Sequence, residues 1–248
     1  MTGEAPARAL SRAPWLAAQT WEDLLLAHWP VDLERLRAAV PAPLPIDTFA
    51  GQAWVSVVPL AIRGSRLRLT PPPPLVGAFP EVNLRTYGTV GGRPGIVFLS
   101  LDADNPLFVA LVRALYRLPY LHARIRMRRR GATVEVQGRR TDGRAPAASF
   151  AASYRAVGDA APAAPGSLEH WLVERYCAYT ADRRGRLLRV RIDHPPWLLQ
   201  PGEATLRVNE LGAAFGLDLS GGPALLHVVR RTPAVFWAPA RVRPAEMG

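Results

Sequence analysis

Polar side chains alternate with apolar ones along residues 79–87, Phe-Pro-Glu-Val-Asn-Leu-Arg-Thr-Tyr. Because successive side chains of a β-strand point to opposite faces, Glu81, Asn83, Arg85 and Tyr87 would share one face. A carboxylate, an amide, a guanidinium and a phenol in one row can transfer a proton, orient a carbonyl and bind an anion. The alternation alone fits two settings, the solvated face of a sheet or the wall of a polar cavity inside a closed barrel.

A second group of carboxylates follows the next predicted strand, in Ser-Leu-Asp-Ala-Asp-Asn at residues 100–105. Asp102 and Asp104 at such a corner commonly serve as turn or capping residues, although either could face a ligand. If burial raised one of the two pKa values, Asp102 and Glu81 together could act as an acid and a base.

The chain contains no lysine, and all 31 of its basic side chains are arginine. A guanidinium stays protonated and cannot act as an amine nucleophile. This composition excludes a Schiff-base lysine, and with it pyridoxal-phosphate enzymes and class I aldolases. It also excludes the lysine of a phosphate-binding loop.

Other catalytic signatures are missing from the sequence. The five histidines are isolated, with no two at a spacing typical of metal ligands: His28, His122, His170, His194 and His227. No Gly-x-Ser-x-Gly motif occurs, and the lone Cys177 has no partner cysteine. The sequence therefore predicts neither a metal nor another cofactor.

The net charge of +11 and the pI near 11.1 raise the question of nucleic-acid binding. Along residues 124–128, however, arginines alternate with apolar residues, which is typical of a strand with one solvated face. We therefore predict no nucleic-acid partner. No apolar run approaches the ~20 residues of a membrane-spanning helix, and no signal peptide is apparent, so the expected location is cytoplasmic, without membrane association.

The elements that must position the polar row are mostly strands, with a few short helices. Helices are predicted at 33–40, 106–117 and 167–179, and residues 203–215 favour a helix slightly over a strand. Strands are predicted at 21–28, 52–62, 66–69, 82–90, 96–101, 121–129, 132–139, 149–157, 187–193, 224–230 and 234–242.

These elements predict one α+β domain over residues 15–243, with flexible tails at 1–14 and 244–248. The turns between strands are mainly those of antiparallel neighbours, and the helices do not alternate regularly with strands. We therefore expect a mainly antiparallel, closed or nearly closed β-barrel with a few peripheral helices.

Several stretches together resemble the bacterial family called domain of unknown function 2071, which is placed in the acetoacetate decarboxylase-like superfamily. They are His-Trp-Pro-Val-Asp at 28–32 with Asp-Thr-Phe-Ala-Gly at 47–51, the polar row at 81–87, and Ser-Leu-Asp-Ala at 100–103 with Leu-Pro-Tyr at 118–120. The resemblance implies a cone-shaped, mainly antiparallel barrel with helices around it and a small-molecule cavity inside.

The resemblance also implies roles for individual residues. Glu81 matches a pocket glutamate of acetoacetate decarboxylases, and Arg113 corresponds to the arginine of their Gly-Arg-Glu motif. Tyr120 and Leu121 stand where those enzymes carry the Schiff-base amine and its neighbouring cation. Decarboxylation through a Schiff base should therefore be lost, whereas Tyr120 could still donate a hydrogen bond or act as a weak acid.

Together, these features predict a protein that binds a small organic carboxylate or carbonyl compound in a polar barrel cavity. The catalytic candidates are Glu81, Asp102 and Tyr120, and the ligand-binding candidates are Asn83, Arg85, Tyr87 and Arg113. A lyase, hydratase, isomerase or hydrolase that works without a Schiff base is as compatible with these residues as a pure binding protein. The alternative is a structural or homo-oligomeric scaffold whose cavity is filled by its own side chains.

Overall fold

The computed structural model describes residues 14–243 and residue 246. The two predicted tails, 1–14 and 244–248, therefore lie almost entirely outside the described residues. No helix in the described part of the chain combines the length and the hydropathy needed to cross a membrane.

Strands dominate the structure. They are β1 (Ala17–Val31), β2 (Ala53–Leu67), β3 (Phe79–Val90), β4 (Arg93–Ala103), β5 (Tyr120–Arg130), β6 (Thr133–Arg140), β7 (Ser149–Ala156), β8 (Ala161–Pro162), β9 (Cys177–Ala181), β10 (Leu187–Asp193), β11 (Leu198–Asn209), β12 (Leu225–Phe236) and β13 (Ala240–Arg241). The helices are α1 (Leu33–Ala39), α2 (Pro106–Tyr116) and α3 (Leu168–Val173), with a 3₁₀ turn at Ala213–Phe215.

Nine of the strands close into a mixed β-barrel. β12, β1, β2, β3 and β4 are antiparallel neighbours, β4 pairs in parallel with β5, and β5, β6, β7 and β11 continue antiparallel. A short pairing of β11 with β12 completes the ring. The predicted closed and mainly antiparallel barrel with peripheral helices is thus confirmed.

A second ring of strands shares one wall with this barrel. β9 pairs in parallel with β4 and antiparallel with β10, and β10 pairs back to β12. Strands β1 to β4 consequently have an enclosed interior on each face. On β3, Val82 and Leu84 belong to the apolar core of the nine-stranded barrel, whereas Glu81, Asn83 and Arg85 face the second interior.

Helix α2 covers the second interior. The side chain of Asn105 accepts a hydrogen bond from the backbone N–H of Phe108 at 2.9 Å, and Pro106 occupies the first helical turn, as the sequence predicts. The helix ends at Arg117, which has a left-handed backbone conformation with φ of 58°. This placement brings Phe108 and Val112 against the cavity.

One predicted helix is confirmed only in its first half, with Ser167 as its N-cap, and another is wrong. The helix expected at 167–179 ends at Val173, and Cys177–Ala181 forms β9 because both β4 and β10 offer it ladder partners. The helix favoured at 203–215 is the second half of β11, followed by a 3₁₀ turn. In β11, exposed Glu203, Thr205 and Arg207 alternate with half-buried neighbours, a period of two that identifies a strand.

Two further boundaries differ from the prediction. β2 continues through Gly64, whose positive φ of 59° bends the strand without ending it. β12 is one strand across residues 231–233, where the sequence suggested a break, because β1 pairs with it along its whole length. Pairing with a long neighbouring strand therefore keeps a strand continuous where the local sequence predicts a break.

Candidate functional site

A cavity of about 210 Å³ lies inside the second ring, beneath α2. Strands β1 to β4, β9, β10 and β12 all contribute to its wall, which is mainly apolar. Its polar side includes Glu81, Asn83 and Arg85 from β3 and Tyr120 from the start of β5. All four are at least nine-tenths buried, which excludes the solvated-face alternative for the polar row.

Glu81 is held by two hydrogen bonds. The amide of Asn83 donates to its Oε1 at 3.1 Å, and the hydroxyl of Tyr120 donates to its Oε2 at 3.0 Å. Glu81 is only 4% exposed, and this burial raises its pKa to about 7, although the two hydrogen bonds act in the opposite direction. At neutral pH the carboxyl group is therefore able to accept or release a proton.

Tyr120 itself remains neutral in this environment. Burial and the nearby charge of Glu81 raise the pKa of its phenol well above 10. The phenol therefore acts as a hydrogen-bond donor to Glu81 near neutral pH.

Arg85 is a buried cation that has no counter-ion within the described part of the chain. Its side chain is 6% exposed, and its Nε has no hydrogen-bond partner. No hydrogen bond or ion pair joins the Arg85 guanidinium to any other described residue. Because an unpaired buried charge carries a desolvation penalty on the order of several kcal/mol, an anion in the cavity would stabilise it.

Arg113 contacts the backbone of Tyr120 from outside the cavity. Its guanidinium donates through Nε to the Tyr120 carbonyl oxygen at 3.0 Å and through Nη2 to Oδ2 of Asp142 at 2.7 Å. Despite desolvation, hydrogen bonds from Arg113 and from two backbone N–H groups hold the pKa of Asp142 below its usual range. Arg113, expected to bind ligand, instead fixes the start of β5 and with it Tyr120.

Asp102, the expected second carboxylate, faces the other interior. In the β3–β4 ladder Asp102 pairs with Val82, which belongs to the nine-stranded barrel core, whereas Glu81 pairs with Ala103. Arg140 donates to Oδ1 of Asp102 at 2.7 Å and to Oδ2 at 2.8 Å. Asp102 and Glu81 thus lie on opposite faces of the shared wall, because neighbouring positions on β4 point to opposite sides, although the charge of Asp102 adds to the raised pKa of Glu81.

Tyr87 is buried behind Arg85 and is not part of the cavity wall. Its hydroxyl makes a short hydrogen bond with Oγ of Ser56 and lies 3.3 Å from Nδ1 of His28. Ser56 Oγ and His28 Nδ1 are 2.5 Å apart. Burial, the charge of Arg85 and the charge of His227 lower the pKa of His28 well below 6.5, so the His28 ring is neutral at pH 7.

The sequence is similar to those of a known protein family. The model of the family DUF2071, described as an uncharacterized conserved protein, matches residues 18–240. This chain belongs to the DUF2071 family. It is 43% identical over 223 residues to the uncharacterized protein YqjF of Bacillus subtilis (strain 168), with 90% of this chain and 91% of YqjF covered.

The solved structures that resemble this DUF2071 protein share its fold. Acetoacetate decarboxylase of Legionella pneumophila matches with a TM-score of 0.61 and 14% identity, over 97% of this chain and 93% of that one. The enduracididine biosynthesis enzyme MppR complexed with pyruvate matches with a TM-score of 0.63 and 13% identity, over 96% and 94%. The predicted resemblance to the acetoacetate decarboxylase-like superfamily is confirmed at the level of fold.

Sequence reasoning missed two further charged residues in the cavity wall of this DUF2071 protein, the exposed Arg66 and the buried Arg175. Arg175 lies between α3 and β9, where the sequence suggested a continuous helix. Its Nη1 is 3.1 Å from Oδ2 of Asp47, and its guanidinium stacks over the Trp171 ring with 4.2 Å to the centroid. Unlike Arg85, Arg175 has a carboxylate partner, and no local signal marked it as a cavity residue.

Metal ligands do not converge anywhere in the part of the chain that the structure describes. No group of three or more His, Cys, Asp or Glu side chains there could hold a metal ion. The polar groups of the cavity, a carboxyl, an amide, a phenol and a guanidinium, suit hydrogen bonding to an organic anion.

Proposed function

We propose that this DUF2071 protein binds a small organic carboxylate in the cavity, with the guanidinium of Arg85 as the anchor for the anion. The observation that carries the proposal is the buried charge of Arg85, unpaired among the described residues, on the wall of the cavity. A carboxylate would complete its hydrogen bonds and neutralise its charge, and such charge-assisted bonds are among the strongest in proteins.

Glu81, Asn83 and Tyr120 would orient the rest of the ligand. Oδ1 of Asn83 is buried without a hydrogen-bond partner, so it can accept a hydrogen bond from a ligand hydroxyl. The protonated form of Glu81 can donate to a ligand carbonyl oxygen, and its pKa of about 7 makes that form available at neutral pH. A ligand that combines a carboxylate with a second oxygen function fits this set.

The fold relatives support a ligand of this class. MppR is described in complex with pyruvate, a small 2-oxo carboxylate, and acetoacetate decarboxylase is named for a 3-oxo carboxylate. Their identity to this chain is 13 and 14%, so the support comes from the shared fold, and the charge of Arg85 carries the proposal.

A second candidate function is proton transfer at a carbon next to a ligand carbonyl, and the pKa of Glu81 favours it. The C–H bond of the ligand would break as its proton bonds to Glu81, and the electron pair would move onto the carbonyl oxygen as an enolate. Arg85 could stabilise that negative charge. This reaction class requires no amine, which agrees with the absence of lysine.

The scaffold alternative predicts an interior filled by the chain's own side chains. A cavity of about 210 Å³ with an unpaired cation on its wall supports a ligand site instead. Homo-oligomer formation is compatible with either function and stays a prediction.

The test compares pyruvate binding to the wild-type protein with binding to Arg85→Met, which removes the charge while keeping a long side chain. Arg124→Met, on the exposed face of β5, is the matched control. Titration calorimetry should show affinity reduced by roughly ten- to a hundredfold in Arg85→Met and unchanged in the control.

A panel of acetate, acetoacetate and hexanoate extends the test to carboxylates of other shapes. Both variants must first match the wild-type circular dichroism spectrum, which shows that they are folded. The proposal fails if no carboxylate binds the wild-type protein, or if Arg85→Met binds them as tightly as the control.

A further inference from the structure

The cavity has one polar side and an otherwise largely apolar wall. Glu81, Asn83 and Arg85 lie along β3, while the other walls come from strands and from α2. Buried apolar side chains from five elements line the same cavity: Leu24, Val58, Leu60, Leu101, Phe108 and Ile192. A compact polar acid would leave most of this apolar surface uncovered, whereas an apolar group would pack against it.

Half-exposed leucines mark where the cavity opens. Leu67, Leu111 and Leu115 line the cavity and are 47, 47 and 50% exposed, in contrast to Arg85 at 6%. Leu111 and Leu115 are four residues apart on α2 and therefore share one helix face. Arg85 is thus at the buried end of the site, and these leucines line the exposed end together with Arg66.

The cavity volume limits the size of the ligand. An apolar cavity of ~150 Å³ holds benzene, so about 210 Å³ holds roughly seven to eight non-hydrogen atoms. A carboxylate group takes three of these atoms, which leaves roughly four or five carbons for the apolar part.

Building on the proposed carboxylate function, we infer that the preferred ligand class is a monocarboxylic acid with an apolar body of about four to five carbons. Its carboxylate binds Arg85, and its body lies between β2, β4 and α2 and points toward the leucines at the opening. Longer chains emerge there, where Leu111 and Leu115 cover part of them.

The inference gives a quantitative expectation for straight-chain acids. Each methylene buried in the cavity should tighten binding by about fourfold, so hexanoate should bind at least on the order of a hundredfold more tightly than acetate. Beyond hexanoate the gain per methylene should fall, because the added carbons lie at a half-exposed surface.

The experiment measures the dissociation constants of acetate, butanoate, hexanoate and octanoate by calorimetry. Phenylacetate tests a larger, aromatic body, and 1-hexanol tests the chain of hexanoate without the anion. The inference expects affinity to rise from acetate to hexanoate and 1-hexanol to bind much more weakly than hexanoate.

A cavity-filling variant tests where the apolar body lies. Val112→Phe fills space beneath α2, whereas Ala110→Phe adds the same side chain at an exposed position of the same helix that does not line the cavity. Val112→Phe should reduce hexanoate affinity by at least tenfold with acetate affinity unchanged, and Ala110→Phe should change neither. Ala17→Phe, at another lining position, replaces Val112→Phe if that variant does not fold.

Two outcomes separate this inference from the proposed function. Equal affinity for acetate and hexanoate, with both still dependent on Arg85, would overturn the apolar body and leave the carboxylate site standing. No binding of any acid, or hexanoate and 1-hexanol binding equally, would overturn the carboxylate site itself.

Discussion

The hydroxyl of Tyr120, at the first residue of β5, donates a hydrogen bond to Oε2 of Glu81 on β3 at 3.0 Å. A neutral phenol therefore lies beside the buried carboxyl group, at a position where the sequence resemblance predicted the place of a Schiff-base amine. A phenol can stabilise a carboxylate or donate to an oxygen, but it cannot form an iminium with a carbonyl carbon. The chemistry available at this site is therefore proton transfer and hydrogen bonding.

Glu81→Gln should make the stability of the protein less dependent on pH. The folded-state pKa of about 7 lies above the ordinary 4.5, so the folded state binds the proton more tightly. The contribution of this group to the free energy of unfolding is therefore greatest below pH 4.5. It decreases as the pH rises to 7, by on the order of 3 kcal/mol in total. Urea unfolding of the wild type and Glu81→Gln at pH 5 and pH 8 measures the difference.

Glu203→Gln is the matched control for this experiment, because Glu203 lies on the exposed face of β11. It should retain the wild-type pH dependence. An identical change in stability between pH 5 and pH 8 for the wild type and Glu81→Gln would show that Glu81 is not a buried acid.

Tyr120→Phe should raise the pKa of Glu81 further. The Tyr120 hydrogen bond favours the ionised form of Glu81. Without it, Asn83 is the one remaining side-chain donor of the two that lower the pKa of Glu81 against the effect of burial. Carbon-13 NMR of the Glu81 carboxyl group during a pH titration measures the shift, which should be on the order of one pH unit.

Tyr116→Phe serves as the control for Tyr120→Phe. Tyr116 also lines the cavity, but its buried hydroxyl has no hydrogen-bond partner among the described residues. Its loss should leave the titration of Glu81 unchanged. If the two variants shift the pKa of Glu81 equally, the Tyr120 hydroxyl has no specific effect on this carboxyl group.

The sequence contains enough local signal to predict much of the fold. The alternation at residues 79–87, the cap formed by Asn105 with Pro106, and the meander of β5, β6 and β7 all follow from patterns of a few residues. The polar row on β3 also followed from strand periodicity, since side chains two residues apart share a face.

The shared wall of the two rings could not be predicted in this way. It depends on β4 pairing in parallel with both β5, across α2, and β9, which lies far away in the chain. Without these pairings, nothing in the sequence says that both faces of β3 and β4 are enclosed. This is why Asp102 was expected beside Glu81 although it faces the other interior, and why Arg175 was missed.

Arg113→Met should destabilise the protein more at pH 7 than at pH 3. The depressed pKa of Asp142 means that its ionised form stabilises the folded state above the ordinary pKa of 3.8, and this stabilisation is lost as the pH falls. Removing the Arg113 partner should therefore reduce stability at pH 7 by about 1–3 kcal/mol, with a smaller reduction at low pH. Thermal or urea unfolding at the two pH values measures both reductions.

Arg144→Met provides a comparison at the same carboxylate. Arg144 contacts Asp142 from a mostly solvent-exposed position, so its loss should change stability by less than about 1 kcal/mol. Equal effects of the two substitutions would contradict the view that Arg113 holds the start of β5 through Asp142.

Asp102→Asn should destabilise the fold without changing carboxylate affinity. Asp102 forms two hydrogen bonds with Arg140, which is also buried, in the nine-stranded barrel. Breaking one partner of such a pair leaves an uncompensated buried charge and typically costs about 3–5 kcal/mol of stability. Because the pair lies on the far face of the shared wall, pyruvate affinity measured below the unfolding temperature should match the wild type within about twofold.

The double variant Asp102→Leu with Arg140→Met separates the charge effect from a general loss of packing. If the cost arises from the unpaired Arg140 charge, replacing both partners with apolar side chains should destabilise the fold less than Asp102→Asn alone. If pyruvate affinity falls together with stability in Asp102→Asn and returns in the double variant, the two interiors are coupled through β4. If neither variant changes the affinity, ligand binding depends on the second ring. The nine-stranded barrel then contributes only by supporting the wall that the two rings share.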